Sequence, residues 1–558
     1  MTSEAHAAPE FSARQLRLLL FGLMTGMLLA ALDQTIVGTA LPTIVGELGG
    51  IDHYSWVVTA YLLASTASTP LYGKMADLYG RRPVFLFSIG TFLVGSLLAG
   101  LSQDMTQLIV TRGVQGLGAG GLMTLAFTII SDVVPPRERG RYQGLFGAVF
   151  GLSSVAGPLV GGYFAETSWR WIFYLNVPLA LVAIVVCYRV LRLIPFTRRE
   201  HAIDWLGAAL LVAGVSCVLL ALSWGGTSYP WGSATIVGLF AAGAVLTALF
   251  LVQEARVREP ILPLRLFRGR TFALANGAGF VLGLVMFGSI IFIPLYLQLV
   301  KGASPTRSGL LMLPMMAGVI VTSIVTGRAM SRIGRYKWFP VAGSAVLLAG
   351  MLLFTRLQVA TSLWLAFAYL TVIGVGLGLC MQSLILAVQN SVAARDLGAG
   401  TSSATFFRSL GGSFGVAILG AVLSSRLGDQ LAARLPAAIA QLPPEQRAAV
   451  AARGGTDISI NDPGTILALP GPVRAAVQAA FVESLHLVFL TTGLIAVVAV
   501  LLTLALPNDQ LRGAGPQGAT GGADPLGGKA PAPGGRPLTK ESKEEAAADM
   551  EAKSQTML

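Results

Sequence analysis

Apolar runs of about twenty residues recur along most of this chain, separated by short joints where the arginines and lysines gather. A run of that length crosses the ~30 Å hydrocarbon core of a bilayer as a helix, the form that satisfies its backbone polar groups internally. Fourteen such runs can be placed, at about 15–37, 54–75, 83–101, 106–128, 141–164, 171–192, 203–223, 234–253, 271–299, 307–328, 338–356, 361–388, 402–425 and 480–506. The fold class is therefore all-α, a polytopic membrane protein. Charged residues make up 12% of the chain, against about 25% in a soluble domain, so several soluble domains are excluded as the explanation of its length.

The net charge of +12 reports topology, not nucleic-acid binding. The even-numbered joints hold Lys74, Arg81 and Arg82; Arg137, Arg139 and Arg141; Arg189, Arg192, Arg198 and Arg199; Arg256, Arg258, Arg265, Arg268 and Arg270; and Arg328, Arg332, Arg335 and Lys337. The short odd-numbered joints are poor in both residues. The positive-inside rule then puts both termini in the cytoplasm. Cys187, Cys217 and Cys380 all lie in apolar spans without metal-ligand spacing and read as small buried hydrophobes. The polar start leads into an apolar run with no cleavage-like end, read as a retained helix and not a signal peptide. No phosphate-binding loop and no catalytic constellation are found, so neither a nucleotide nor a cofactor is expected, nor enzyme activity. Residues 426–479 are expected to form a long outer connection with a small cap of short helices, and the Gly/Pro/Ala-rich and then Lys/Glu-rich tail from 507 to 558 to be disordered.

A weak repeat divides the chain. Gly73-Lys74-Met75-Ala76-Asp77-Leu78-Tyr79-Gly80-Arg81-Arg82 follows the second run, and Gly327-Arg328-Ala329-Met330-Ser331-Arg332-Ile333-Gly334-Arg335-Tyr336-Lys337 follows the tenth. Both put glycines and cations at one end of a helix hairpin. The division expected is a cytoplasmic segment 1–14, a six-helix bundle 15–200, two inserted helices 201–258, a second six-helix bundle 259–506 that includes the outer connection, and the tail. Parallel repeats of this kind place a substrate site between the halves.

Three features carry chemistry. Asp33 stands in Leu32-Asp33-Gln34-Thr35-Ile36-Val37-Gly38-Thr39-Ala40-Leu41-Pro42, inside the first run. A carboxylate there costs about 2.5–3.5 kcal/mol on insertion scales, which protonation largely removes, so it reads as a proton site. Arg112 opens the fourth run in Arg112-Gly113-Val114-Gln115-Gly116-Leu117-Gly118-Ala119-Gly120. It needs an acceptor in the membrane, or else it snorkels to the outer interface. Gly157-Pro158-Leu159-Val160-Gly161-Gly162 closes the fifth run, where proline bends the helix and glycines admit close neighbours, whether for packing alone or for conformational switching.

These segments, together with Trp169-Arg170-Trp171-Ile172-Phe173-Tyr174-Leu175-Asn176-Val177-Pro178 and Pro260-Ile261-Leu262-Pro263-Leu264-Arg265-Leu266-Phe267-Arg268, resemble the major facilitator superfamily and, within it, the fourteen-helix drug:proton antiporters. The resemblance covers about 1–425 and 480–506. It implies the major facilitator fold, two six-helix bundles plus two linker helices. It further implies a cytoplasmic latch of Gly73, Asp77, Gly80, Arg81 and Arg82, proton coupling through Asp33 and Arg112, and an antiport motif of Gly157, Pro158, Gly161 and Gly162. The chain departs from the pattern at Leu78, where a basic residue is usual, at Gly38 in place of asparagine, and at Ser153 in place of glycine. Spans 9 to 13 carry no acid in their apolar cores. Glu483 and His486 near the outer end of span 14 are either water-facing interfacial residues or a secondary relay.

Met286, Phe287, Phe292, Tyr296, Met312, Gln382, Phe406 and Phe407 on the C-terminal half are candidates for a pliable pocket, though methionines and aromatics also serve ordinary helix packing. The function expected is a monomeric proton-coupled exporter in the plasma (inner) membrane. It would exchange lipophilic, often cationic or aromatic compounds for protons, with membrane lipids around it and no nucleic acid involved. A lipid or glycolipid exporter on the same fold is the alternative, which the scarcity of acids in the C-terminal half favours mildly. A nutrient symporter would want more polar spans, and a membrane sensor would want a recognisable partner-binding tail.

Overall fold

The computed structural model describes residues 12–48, 54–193, 204–226, 228–444, 446–447 and 469–511, all within one compact unit. Of the outer connection expected at 426–479, residues 445 and 448–468 lie outside the described residues, as do the tail beyond 511 and the start of the chain before 12. Helices in chain order are α1 (Ala13–Leu48), α2 (Tyr54–Tyr79), α3 (Arg81–Gly100), α4 (Met105–Val133), α5 (Pro136–Thr167), α6 (Arg170–Tyr174), α7 (Asn176–Val190), α8 (Trp205–Trp224) and α9 (Ala234–Arg256). They continue with α10 (Arg270–Leu295), α11 (Pro305–Leu311), α12 (Leu313–Ile333), α13 (Trp338–Phe354), α14 (Leu363–Ser391), α15 (Leu397–Ala440) and α16 (Gly471–Leu504).

Twelve helical stretches among the described residues are long and apolar enough to cross a membrane, with α6 and α7 counted as one. The shorter α13 is apolar but spans only Trp338–Phe354. Helix α2 is absent from that set because a central Ser65-Thr66-Ala67-Ser68-Thr69-Pro70 stretch lowers its hydropathy. Its hydroxyls bond backbone carbonyls, Ser68 that of Leu117 at 3.3 Å and Thr69 that of Gly120 at 3.3 Å, so the polar stretch faces α4 and not lipid.

Several helices outrun the apolar segments that betray them. Helix α15 continues to Ala440, past the expected end at 425, because Arg426, Gln430, Leu431, Arg434 and several alanines keep a helix-favouring composition after the apolar residues stop. Helix α16 begins at Gly471 with Pro472 as its first-turn proline, where the apolar reading began it at 480.

Helices α1 to α7 form one bundle and α10 to α16 another, with α8 and α9 paired outside and α8 lying against α2. The bundles meet along two seams, α5 on α12 and α2 on α15. In the first seam the backbones touch, since a side chain on Gly327 would run into the Gly140 carbonyl. The two halves also turn alike: Gly80 (φ 90°) ends α2 and Gly334 (φ 70°) ends α12, both in the left-handed region that favours glycine. At that end of the second bundle the chain beyond α16 folds back as a strap. Leu511 N–H donates to the Gly334 carbonyl at 2.9 Å, Thr271 and Tyr336 hydroxyls donate to Asp509 at 3.0 and 3.3 Å, and Asn390 donates to the Gln510 carbonyl at 3.1 Å.

Candidate functional site

Asp33 and Arg112 meet. Helices α1 and α4 bring them together across 79 positions of sequence, Arg112 Nη1 donating to Asp33 Oδ2 at 2.5 Å. Each is only 1% exposed. Gln115, one helical turn after Arg112, accepts from Arg112 at 2.7 Å and donates to Asp33 Oδ1 at 2.8 Å. Asn176, at the start of α7, donates to the same Asp33 oxygen at 3.1 Å and to Ser96 at 3.0 Å. The guanidinium lies over the Tyr61 ring at 4.2 Å, and the Tyr61 hydroxyl donates to the Ala30 carbonyl at 3.1 Å. Both charges are thus compensated, which a buried ion pair requires if it is not to be a net liability. Arg112 does not snorkel; its carbon stem and head are enclosed. Sequence reasoning singled out Asp33 and Arg112 but not Gln115, Asn176, Ser96 and Tyr61. Gln115 sits three residues from Arg112, and Asn176 interrupts an apolar run, so both carried a readable polarity signal.

The surrounding segments hold α1 in place. Trp169 Nε1 donates to Glu47 Oε2 at 2.9 Å, and Arg170 pairs with the other oxygen and donates to the Ser102 carbonyl at 3.2 Å. The Arg170 hydrogen bond, helped by Trp169, holds the Glu47 carboxyl below its usual range. On the other side α5 closes in. Thr35 of α1 donates to the Ser153 carbonyl at 3.0 Å, and a side chain on Gly161 would come within 2.8 Å of the Ile36 carbonyl. Gly157 faces Thr35, a side chain on Gly309 of α11 would come within 3.1 Å of Pro158, and Gly162 is only partly buried.

The second polar cluster lies at the seam between the bundles. Asp77 Oδ1 accepts from Arg81 at 2.5 Å and from Gly398 N–H at 3.2 Å, and its Oδ2 from Ala399 N–H at 3.0 Å. The carboxylate therefore caps the start of α15, where unpaired N–H groups and the helix dipole favour an anion. Arg81 also donates to Asp132 at 2.6 Å. Gly73 packs on the Gly398 carbonyl and Ser402. Arg82 lies over the Tyr188 ring at 4.3 Å, and Leu78, where the resemblance leads one to expect a base, is buried. Further bonds cross between the bundles, among them Arg137 to the Ser331 carbonyl at 3.1 Å and Gln143 to Gln389 at 2.7 Å.

The expected pocket residues scatter. Met286 lines a narrow cavity between α10, α14 and α15 that contains about 430 Å³ of empty space counting its open side. Phe287 presses on Gly412, Phe292 is in the core, and the Tyr296 hydroxyl donates to the Gln358 carbonyl at 3.0 Å. Met312 is buried at the break between α11 and α12. Gln382 is fully buried against Gly147, with neither amide atom bonded among the described residues. Phe406 packs with Leu211, Val215 and Phe250 of the outer helix pair, and Phe407 meets Phe267 at 5.9 Å. Glu483 is exposed, while His486 bonds the Leu357 carbonyl. The cavity's charged residue, Arg408, was overlooked because only acids were sought in the C-terminal spans.

The profile of the Major Facilitator Superfamily matches residues 23–416. The chain is 44% identical over 457 residues to the uncharacterized MFS-type transporter Rv1877 of Mycobacterium tuberculosis (strain H37Rv), covering 79% of this chain and 66% of that protein, just under two thirds of its length. It is 40% identical over 505 residues to the multidrug transporter protein MdtP of Bacillus subtilis (strain 168), covering 88% of this chain and 92% of that protein. Among solved structures, the proton:xylose symporter XylE superposes with a TM-score of 0.56 at 12% identity over 90% of this chain and 98% of that one, a likeness of fold.

Proposed function

The chain belongs to the major facilitator superfamily, and on that premise we propose that it is a proton-coupled exporter of lipophilic small molecules working by alternating access. The observation that carries this is the buried Asp33–Arg112 pair, an ion pair that one proton can undo. When Asp33 takes up a proton, Arg112 keeps Gln115, the Val57 carbonyl at 3.4 Å and the Tyr61 ring but loses its counter-charge. The uncompensated cation then favours a rearrangement of α1 against α4, a local charge change biasing a two-state element. With α6–α7 and α11–α12 counting once each, this reading has fourteen spans, an even number that keeps both termini on one side, and the arginine-rich joints favour the cytoplasmic side of a plasma membrane.

On this reading the Asp77 cap on α15, with Arg81 behind it, is the cytoplasmic latch. Opening that side requires the two N–H donors of Gly398 and Ala399 to leave Asp77. Gly157, Pro158 and Gly161 let α5 slide close along α1 and α11. The homologue named a multidrug transporter supports a lipophilic cargo.

The test is efflux from proteoliposomes under an imposed pH gradient, with cationic, neutral and acidic lipophilic dyes. Native protein is expected to transport at least one dye only while the gradient lasts, and Asp33→Asn to lose that dependence while remaining folded. Gradient-driven transport that survives in Asp33→Asn removes Asp33 as the proton site.

A further inference from the structure

We propose that the cavity of the C-terminal bundle binds the anionic group of an amphiphilic acid, with the Arg408 guanidinium as its partner. Arg408 lies on α15 about 16 Å from the helix start at Leu397, at 1.5 Å per residue, and so near the middle of the bilayer core. It lines the cavity together with Leu282, Met286, Met381 and Leu384.

Among the described residues Arg408 has no hydrogen bond, ion pair or ring contact. The comparison within the chain is sharp. Arg112 has Asp33 and Gln115, Arg81 has Asp77 and Asp132, and Arg139 has the Ser131 and Val134 carbonyls. Helices α10 and α14, which face Arg408 across the cavity, contain no acid. Asp396, the nearest acid before it on its own strand of chain, is paired with Arg265 at 2.7 Å. The cavity's one thiol, Cys380, is turned to the Pro340 carbonyl at 3.6 Å. The position of Arg408 is set by backbone contact: Gly283 of α10 lies against its carbonyl and Gly411 against Phe280, leaving no room for a side chain at either glycine.

A permanent cation held at membrane depth without a protein partner needs its counter-charge from outside the chain. The guanidinium offers paired N–H donors that match a carboxylate, and the methionine and leucine walls suit an apolar body of variable shape. The cargo class is then a lipophilic acid, where the sequence suggested lipophilic, often cationic or aromatic compounds. The export direction rests on the exporter reading; the binding does not. If one proton enters as one monovalent anion leaves, both movements carry positive charge inward, so transport also responds to membrane potential.

The experiment measures binding of 1-pyrenebutyrate and of its neutral amide to the purified full-length protein by fluorescence anisotropy. The carboxylate is expected to bind roughly tenfold tighter than the amide. Arg408→Gln is expected to remove the difference and Arg408→Lys to retain part of it. Equal binding of the two probes to native protein overturns the inference whether or not any variant folds, as does a preference unchanged in a folded Arg408→Gln. Repeating the measurement in phosphatidylcholine and in phosphatidylglycerol vesicles separates the sources of the anion. Competition by phosphatidylglycerol supports the site with a lipid headgroup as occupant, and its absence supports it with a free acid. A carboxylate preference without gradient-driven transport removes the exporter reading and leaves this site; gradient-driven transport without the preference does the reverse.

Discussion

The two bundles treat an arginine within a membrane-spanning helix in opposite ways. In the first, Arg112 is closed in by Asp33, Gln115 and Tyr61, and both charges of the pair are partnered within the chain. In the second, Arg408 faces a cavity walled by leucine, isoleucine and methionine and has no partner among the described residues. On the proposed reading, one half carries an internal switch that a proton can throw and the other an open charge that a ligand can close, with the same type of side chain serving both.

The largest effect that can break this contrast is a matched pair of substitutions. Arg112→Leu strands Asp33 as a buried unpaired charge and is expected to destabilise the protein by about 3–5 kcal/mol. Arg408→Leu removes an uncompensated cation and is expected to change stability by less than about 1 kcal/mol. Thermal melting in detergent compares them, and equal losses would mean that Arg408 has a structural partner. A double-mutant cycle of Asp33→Asn with Arg112→Leu sharpens the first half of the contrast, with an expected coupling of about 1–3 kcal/mol. Asp77→Ala leaves two N–H groups at the head of α15 uncapped and is expected to weaken the clasp between bundles by about 1–2 kcal/mol, read as roughly tenfold faster thiol labelling of Ser402→Cys.

The smallest effect concerns Glu47, whose pairing with Arg170 is at the surface. Its carboxyl is held below the ordinary value of 4.5, so the contribution is present above that value and is lost as the pH falls through the lowered one. Glu47→Gln is expected to cost under about 1 kcal/mol at neutral pH and nothing in strong acid. A pH-independent loss of several kcal/mol would instead make the outer end of α1 a second buried site.

Much of this was legible because membranes simplify the reading. Asp33 and Arg112 stood out one by one, since an ionised group in an apolar run has few explanations. Their contact did not, because it depends on how α1 and α4 are rotated about their axes, which apolar runs do not record. The same blindness scattered the pocket residues: Phe406 and Met286 are equally apolar, but one faces the outer helix pair and the other the cavity. The Asp77 cluster was readable from Gly73 to Arg82 as a turn with charges, whereas its partner across the seam, the backbone N–H groups of Gly398 and Ala399, has no side-chain signature at all. Helix ends were missed where polar helix formers carry a span past its apolar part, as at Arg426 to Ala440.

The strap after α16 bears on how the second bundle moves. Asp509, Gln510 and Leu511 fasten the head of α10, the turn between α12 and α13 and the tail of α14 to one short peptide. Three helices are laced at their ends like the staves of a cask. On the alternating-access reading, a rocking step would carry the bundle as one body, pivoting against its neighbour along the glycine seam of Gly140 and Gly327.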